Sequence, residues 1–322
     1  MCQISVLMSV YNESERELKE SVDSILNQSY KNFEFIIVND NPNNINLKLM
    51  LNRFASKDNR IKIIENEKNI GLAMSMNKAA KIAKGEYLAR MDADDIAMPE
   101  RFENQINIFS NNSEVDLICS NFYFIDEKSN LLNRNFSYLS KYQLRGLLPI
   151  WNTIHHPTVM MKKDIFNKLG GYRNFPCAQD YDLWLRMLTF GCNFYMIPEK
   201  LLKYRIRNTS TTSAKRLLQV LTMNYIKLLY KERKNNNKDS YSENNYKKYL
   251  ETKKYFDITY TKNLMQKRTI LKKLQNNLKN RNYLNASFEL IYLLISSGYF
   301  RNRFSTVLKF KIHKKYLGLV EI

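Results

Sequence analysis

Two kinds of apolar pattern alternate along the first hundred residues. Residues 4–10 (ISVLMSV) and 33–39 (FEFIIVN) are near-continuous apolar runs, as in strands buried on both faces. Between them Leu18, Val22, Ile25 and Leu26 recur at helical spacing, and Asn12 with Glu15 three positions on has the form of a capping box. A weaker helix is expected over 45–56 and a short strand over 61–65. Next comes a helix over 72–84 with Leu72, Met76, Ala80 and Ala83 on one face, and Gly85 is placed to end it. Residues 86–91 supply another strand. Such alternation with short connections predicts an α/β fold: a mixed, mostly parallel sheet with helices on both faces.

After Asp95 the pattern loosens. Pro99 opens a helix carrying Phe102, Ile106 and Phe109 on one face. Strands are expected near 115–119, 158–161, 193–197 and 202–206, and a helix over 180–190. Beyond residue 214 strands cease, and the chain reads as Lys/Tyr/Asn/Leu-rich helices with a break at 234–245. The pattern therefore predicts a main α/β domain over 1–214 and a basic, aromatic-rich helical accessory segment over 215–322.

Charge sharpens that division. The 322 residues carry a formal net charge of +20. Residues 1–214 hold 27 Lys+Arg against 24 Asp+Glu, whereas 215–322 hold 24 against 7. A nucleic-acid-binding protein would spread its basic residues over the main domain, so that class is set aside and no nucleic-acid partner is expected. The tail instead suits an anionic membrane surface, with a helical bundle packed on the main domain as the alternative. Its longest uncharged apolar stretch, Leu290–Phe300, is too short to cross a bilayer. The four cysteines form no CxxC pair, which disfavours a zinc site and fits a reducing cytoplasm; Cys119 reads as a buried small hydrophobe. A cytoplasmic protein, peripheral on the inner face of the membrane, is the expectation.

Ligands of open α/β sheets bind at the carboxyl ends of the strands. Those ends carry Tyr11–Asn12, Asp40 and the run Met91-Asp92-Ala93-Asp94-Asp95. Three carboxylates in four positions repel one another unless a cation sits among them. Carboxylate oxygens are hard ligands suited to Mn²⁺ or Mg²⁺, and a metal held by one or two of them keeps positions open for phosphate oxygens. A solvated acidic loop before the Pro99 helix is the plainer reading. Tyr11-Asn12-Glu13-Ser14 has no glycine fingerprint, which excludes a dinucleotide-binding dehydrogenase.

The segments SVLMSVYNE, IIVND ending at Asp40, NIGLAMSMN over 69–77, GEYLARMDADDI over 85–96 and QDYDLWLR over 179–186 occur in one register. Together they resemble the bacterial family 2 glycosyltransferases of GT-A fold that build capsule, lipopolysaccharide or exopolysaccharide, over about residues 3–213. The resemblance implies a nucleotide-sugar donor, a saccharide or lipid-linked acceptor and inversion at the transferred sugar. It places Asp40 on the uracil N3–H, Tyr11 against the base, and Asn12 and Asn77 in the donor site. Asp92 and Asp94 match the metal-binding DxD motif, with Asp94 on the metal and Asp92 nearer the ribose. Arg90 either steadies these carboxylates or the diphosphate, or forms a strand-end ion pair.

Asp180 matches the general base, at the start of a helix whose positive end favours an ionised carboxylate. Asp182 should point away from it, and Trp184 either stacks on an acceptor sugar or fills the core. His155–His156 fall where relatives often have a histidine near the acceptor. Two departures stand out. Gln179 replaces the usual Glu before the base, and Arg207 stands where many relatives have a metal-binding His. An arginine cannot ligate a cation but can bind a diphosphate. Uridine is the expected donor base, with a thymidine-linked deoxysugar such as rhamnose as the alternative.

Overall fold

The computed structural model describes residues 3–207, 213–257, 267, 270, 271 and 273–316. In chain order the first part runs β1 (Ile4–Val10), α1 (Glu15–Leu26), β2 (Phe33–Asn39), α2 (Ile45–Lys57), β3 (Ile61–Glu65), α3 (Gly71–Ile82), β4 (Tyr87–Arg90) and β5 (Ile96–Ala97). It continues through α4 (Arg101–Asn111), β6 (Leu117–Ile125), α5 (Lys141–Leu147), β7 (Met160–Lys162), α6 (Lys163–Lys168), α7 (Gln179–Phe190) and β8 (Phe194–Arg205). The strands form one sheet in the order β3-β2-β1-β4-β7-β6-β8-β5. β1 pairs in parallel with β2 and β4, as do β2 with β3 and β6 with β8, while β7 runs antiparallel between β4 and β6. This is the mixed, mostly parallel sheet that the alternating pattern predicts.

Every residue of β2 is buried, and β1 is buried but for one partly exposed position, which is why both read as unbroken apolar runs. Between them α1 packs Leu18, Val22 and Ile25 inward with no exposed surface. Its cap is Ser14, not Asn12: Ser14 has extended backbone and forms the capping box with Glu17, three positions on. α3 ends at Ile82, so Gly85 does not terminate it. Gly85 is instead pressed against β1, where a Cβ would stand 2.5 Å from the Ser5 nitrogen.

Two further departures come from packing. The helix predicted from Pro99 begins at Arg101. The strands predicted at 193–197 and 202–206 are one strand, β8, which passes through Pro198-Glu199-Lys200 by shifting register against β6 near Asn121. Cys119 is buried in β6, where loss of solvent pushes its thiol up to about 12.

The chain divides into two compact units, Met1–Leu148 with Asn152–Ser210, and Pro149–Trp151 with Thr211–Ile322. In the second, α8 (Ser213–Asn236) and α9 (Glu243–Thr252) are followed by helices over Tyr283–Ser296 and Gly298–Tyr316. Leu217, Leu221, Tyr225, Ile226 and Leu229 of α8 are buried. Among the described residues no helix is long and apolar enough to cross a membrane.

Candidate active site

The carboxyl end of β4 is held from several directions before any ligand is considered. Arg101, fully buried on α4, donates to the Arg90 carbonyl at 2.8 Å. Arg90, buried at the strand end, pairs with the Asp92 carboxylate and reaches the Leu7 carbonyl of β1 at 3.3 Å. The contact seen for Arg90 is thus with one of the carboxylates of the acidic run.

Arg205, at the end of β8, is the main brace of the acidic run. Its backbone N–H donates to Oδ1 of Asp95 at 2.8 Å, and its Nε to the Asp94 carbonyl at 2.6 Å. Its two terminal nitrogens bond Ser129 Oγ at 2.9 Å and Glu20 Oε2 at 2.8 Å. One buried guanidinium thus ties β4, α1 and the turn after β6 together. Two residues on, Arg207 Nη2 lies 3.1 Å from Oδ2 of Asp94 and 3.4 Å from Oε2 of Glu17.

Electrostatically the cluster is short of positive charge. Burial first, then Asp92, lifts the Asp94 carboxyl to about 6, although Arg207 opposes this. The 3.1 Å ion pair and the raised value pull in opposite directions; loss of solvent and the neighbouring carboxylates outweigh a partner that is itself partly exposed. Burial also raises Glu13, which senses both Asp92 and Arg207. Asp95 is pushed well up by burial, and its Oδ2 has no hydrogen-bond partner.

Among the described residues no three His, Cys, Asp or Glu side chains are grouped to enclose an ion. The Asp94 charge is poorly compensated as it stands, and the Asp92 and Asp94 oxygens are of the hard type that suits a divalent cation.

Asp180 sits in the first turn of α7. The residue before the helix is Ala178, in the left-handed region at φ 57° with no side-chain cap, so Asp180 is not the cap. Asn152 Nδ2 donates to Asp180 Oδ2 at 2.9 Å and orients the carboxylate. Burial raises its pKa, against the lowering effects of Asn152 and of the Tyr181 N–H; Asp92 is close enough to raise it further. The helix terminus therefore does not win here. Desolvation does, and it makes Asp180 a better proton acceptor.

Beside this cluster, Asp40 ends β2. Its Oδ1 accepts from Asn66 Nδ2 and the Ile70 N–H, both at 2.8 Å, and its Oδ2 accepts the Gly71 N–H at 2.9 Å. Asp40 thus caps α3 from a neighbouring strand, which explains how a helix without a capping side chain of its own begins there. Tyr11 is 45% exposed, and Asn41 Nδ2 bonds both the Tyr11 carbonyl and Asn12 Oδ1 at 2.9 Å, fixing the loop after β1.

Several residues expected at the site are engaged within the protein. Asn77 is held by the 170–172 turn: its Nδ2 donates to the Tyr172 carbonyl at 2.8 Å and its Oδ1 accepts the Tyr172 N–H at 2.9 Å. Trp184 has no exposed surface and fills the core instead of stacking on a sugar. His156 is turned inward, its Nε2 2.8 Å from Tyr172 Oη, and burial holds its pKa well below the usual range. Gln179 is likewise buried at the start of α7. Asp182 points away from the acidic cluster as expected, into a buried ion pair with Arg186 at 2.8 Å. Glu13, Glu17 and Arg205 belong to the site's surroundings and were missed. For Glu17 a signal existed, the Ser-x-x-Glu spacing from Ser14.

The glycosyl transferase family 2 profile matches residues 5–170. An uncharacterized glycosyltransferase of Methanocaldococcus jannaschii is 44% identical over 211 residues, covering 64% of this chain and 71% of that one. The O-antigen biosynthesis glycosyltransferase WbnJ of Escherichia coli is 36% identical over 211 residues, covering 65% and 81%. Staphylococcus aureus TarS 1–349, solved in complex with UDP-GlcNAc, superposes with a TM-score of 0.56 at 15% identity, over 77% of this chain and 70% of that one, a likeness of fold. The chain belongs to glycosyltransferase family 2, and its fold is of the GT-A type.

Proposed function

We propose that the protein transfers a sugar from a nucleoside diphosphate donor to a saccharide or lipid-linked saccharide acceptor in cell-surface polysaccharide assembly, with inversion. Asp180 takes the proton of the acceptor hydroxyl as that oxygen bonds the anomeric carbon, and the diphosphate leaves from the opposite face with the electron pair of the broken C–O bond. The observation that carries this reading is the pairing of an Asn152-oriented carboxylate of raised pKa with the acidic run at the end of β4, within electrostatic range of Asp92.

Mn²⁺ or Mg²⁺ at Asp92 and Asp94 supplies neutralisation for the departing diphosphate. Asp92 also faces the ribose, Tyr11 and Asn12 flank the base, and Asp40 offers its remaining lone pair to an imide N–H. Arg207, partly exposed beside Asp94, would bind the diphosphate by exchanging its ion pairs with Asp94 and Glu17. The name of the E. coli relative supports the polysaccharide setting, and the UDP-GlcNAc bound to TarS makes uridine the first donor to test. The test is a thermal-shift and hydrolysis screen over UDP-, dTDP- and GDP-sugars, with Mn²⁺, with Mg²⁺ and with EDTA. Stabilisation and turnover by a UDP-sugar only with metal is expected; stabilisation by none would refute the reading.

A further inference from the structure

The Tyr283–Ser296 helix has more apolar surface than one packed face can use. Ala286 and Leu293 point inward and are buried. A different row, Leu284, Phe288, Ile291 and Ile295, recurs at steps of four, three and four residues, and these side chains are 73%, 66%, 53% and 75% exposed. That spacing makes one continuous stripe down the outside of the helix. Leu308 and Ile312, also exposed, lie one turn apart on the Gly298–Tyr316 helix, which is packed alongside in the same unit. Four large side chains in a row on water are a patch, not scattered exposure.

The charges around the stripe identify what covers it. Over residues 267–316 the sequence has twelve Lys or Arg and one acidic residue, Glu289. Glu289 is already engaged by Asn277 Nδ2 at 3.0 Å. Lys279, Arg281, Arg301, Lys309 and Lys315 are exposed. Cations also close the C-terminal end of the apolar helix, Lys267 donating to the Ser296 carbonyl at 2.6 Å and Arg301 to the Ile295 carbonyl at 3.0 Å. Pairing two copies through this face would press like charges together. A negatively charged lipid surface would meet the cations and bury the stripe at once. The helix is too short to span, so it would lie in the plane of the surface.

We propose that the Tyr283–Ser296 helix is an in-plane anchor that inserts Leu284, Phe288, Ile291 and Ile295 into the interface of an anionic bilayer, with the surrounding Lys and Arg on the headgroups. The inference does not depend on which sugar is transferred, or on transfer at all.

The test uses the full chain and vesicles of phosphatidylcholine, alone or with phosphatidylglycerol, in a flotation assay. Binding is expected only to the anionic vesicles and should weaken as salt is raised. Phe288→Ala with Ile295→Ala keeps every charge and should weaken vesicle binding by about tenfold or more. In an Ile291→Trp variant the added indole should shift its emission to the blue on anionic vesicles. Unchanged binding by the double-alanine variant, or no emission shift, would refute insertion. A concentration-dependent dimer abolished by the same alanines, with no vesicle binding, would show that a second copy covers the stripe and overturn the proposal. Because the alanines shorten exposed side chains, the melting temperature should stay near that of the parent chain and so separates anchoring from unfolding.

Discussion

Arg207 Nη2 stands 3.1 Å from Oδ2 of Asp94, so an arginine of the first unit occupies a carboxylate oxygen of the acidic run after β4. The pair offsets part of the charge at this strand end, and it sets a competition. Whatever cation binds Asp94 must displace Arg207 or share the carboxylate with it.

Arg207→Gln should therefore tighten Mn²⁺ binding in the absence of nucleotide by several-fold to about tenfold, because a cation 3–4 Å away opposes a second one appreciably even near solvent. The same change should weaken donor binding, since a partner for the diphosphate is lost. Isothermal titration with Mn²⁺ alone and then with donor separates the two effects. Equal metal affinity in both proteins would mean that Arg207 does not guard the site.

The pH dependence follows from Asp94, raised from its ordinary 3.8 to about 6. A raised carboxyl binds its proton more tightly when folded, so it costs nothing below about pH 4, and its cost grows as pH climbs through about 6. Asp94→Asn should match the parent chain in stability near pH 4 and exceed it by about 1–3 kcal/mol at pH 7.5 without metal. Thermal melts in EDTA at both pH values check the sign. A variant less stable at pH 7.5 would show that Arg207 compensates Asp94 after all.

Asp40 invites a stability test because it performs a structural duty that its position in the motif hides. Asp40→Asn replaces one acceptor with a donor and leaves an N–H of Ile70 or Gly71, or the Asn66 amide, without its partner. A loss of about 1–3 kcal/mol in chemical denaturation is expected, besides any loss of donor binding. An unchanged midpoint would mean that the start of α3 is held otherwise.

Two adjacent glycines make a matched pair. A Cβ on Gly171 would stand 2.6 Å from Asn77 Oδ1 at φ 68°, while one on Gly170 meets nothing within 4 Å at φ 73°. Gly170→Ala should cost about 1 kcal/mol, for left-handed backbone alone. Gly171→Ala should cost roughly 2–4 kcal/mol, because it also disrupts the amide clasp on Tyr172. Denaturant midpoints of the two variants give the comparison.

The buried strands were legible in the sequence because burial on both faces leaves a continuous apolar run, and the acidic run after β4 because three carboxylates in four positions stand out at a strand end. β8 was split because Pro198-Glu199-Lys200 looks like a loop; only pairing with β6 carries the chain through. The structural bonds of Asn77 and Asp40 were not legible, because their hydrogen-bond partners lie 95 and up to 31 residues away. Arg205 reaches Glu20 across 185 residues, and no local pattern encodes that contact. Residues whose role is set by backbone geometry were readable. Those whose role is set by a distant partner were not.

The most direct measurement is the transfer reaction of Asp180→Asn with the anomeric configuration of the parent chain's product read by NMR. The amide cannot take a proton, and it keeps the shape that Asn152 holds. Turnover should fall by roughly 10²–10⁴ while the donor KM stays within a few-fold, because the base acts only as the transition state forms. The parent chain should give a product inverted relative to the donor. Retention of configuration, or near-normal turnover in the asparagine variant, would remove Asp180 from the chemistry.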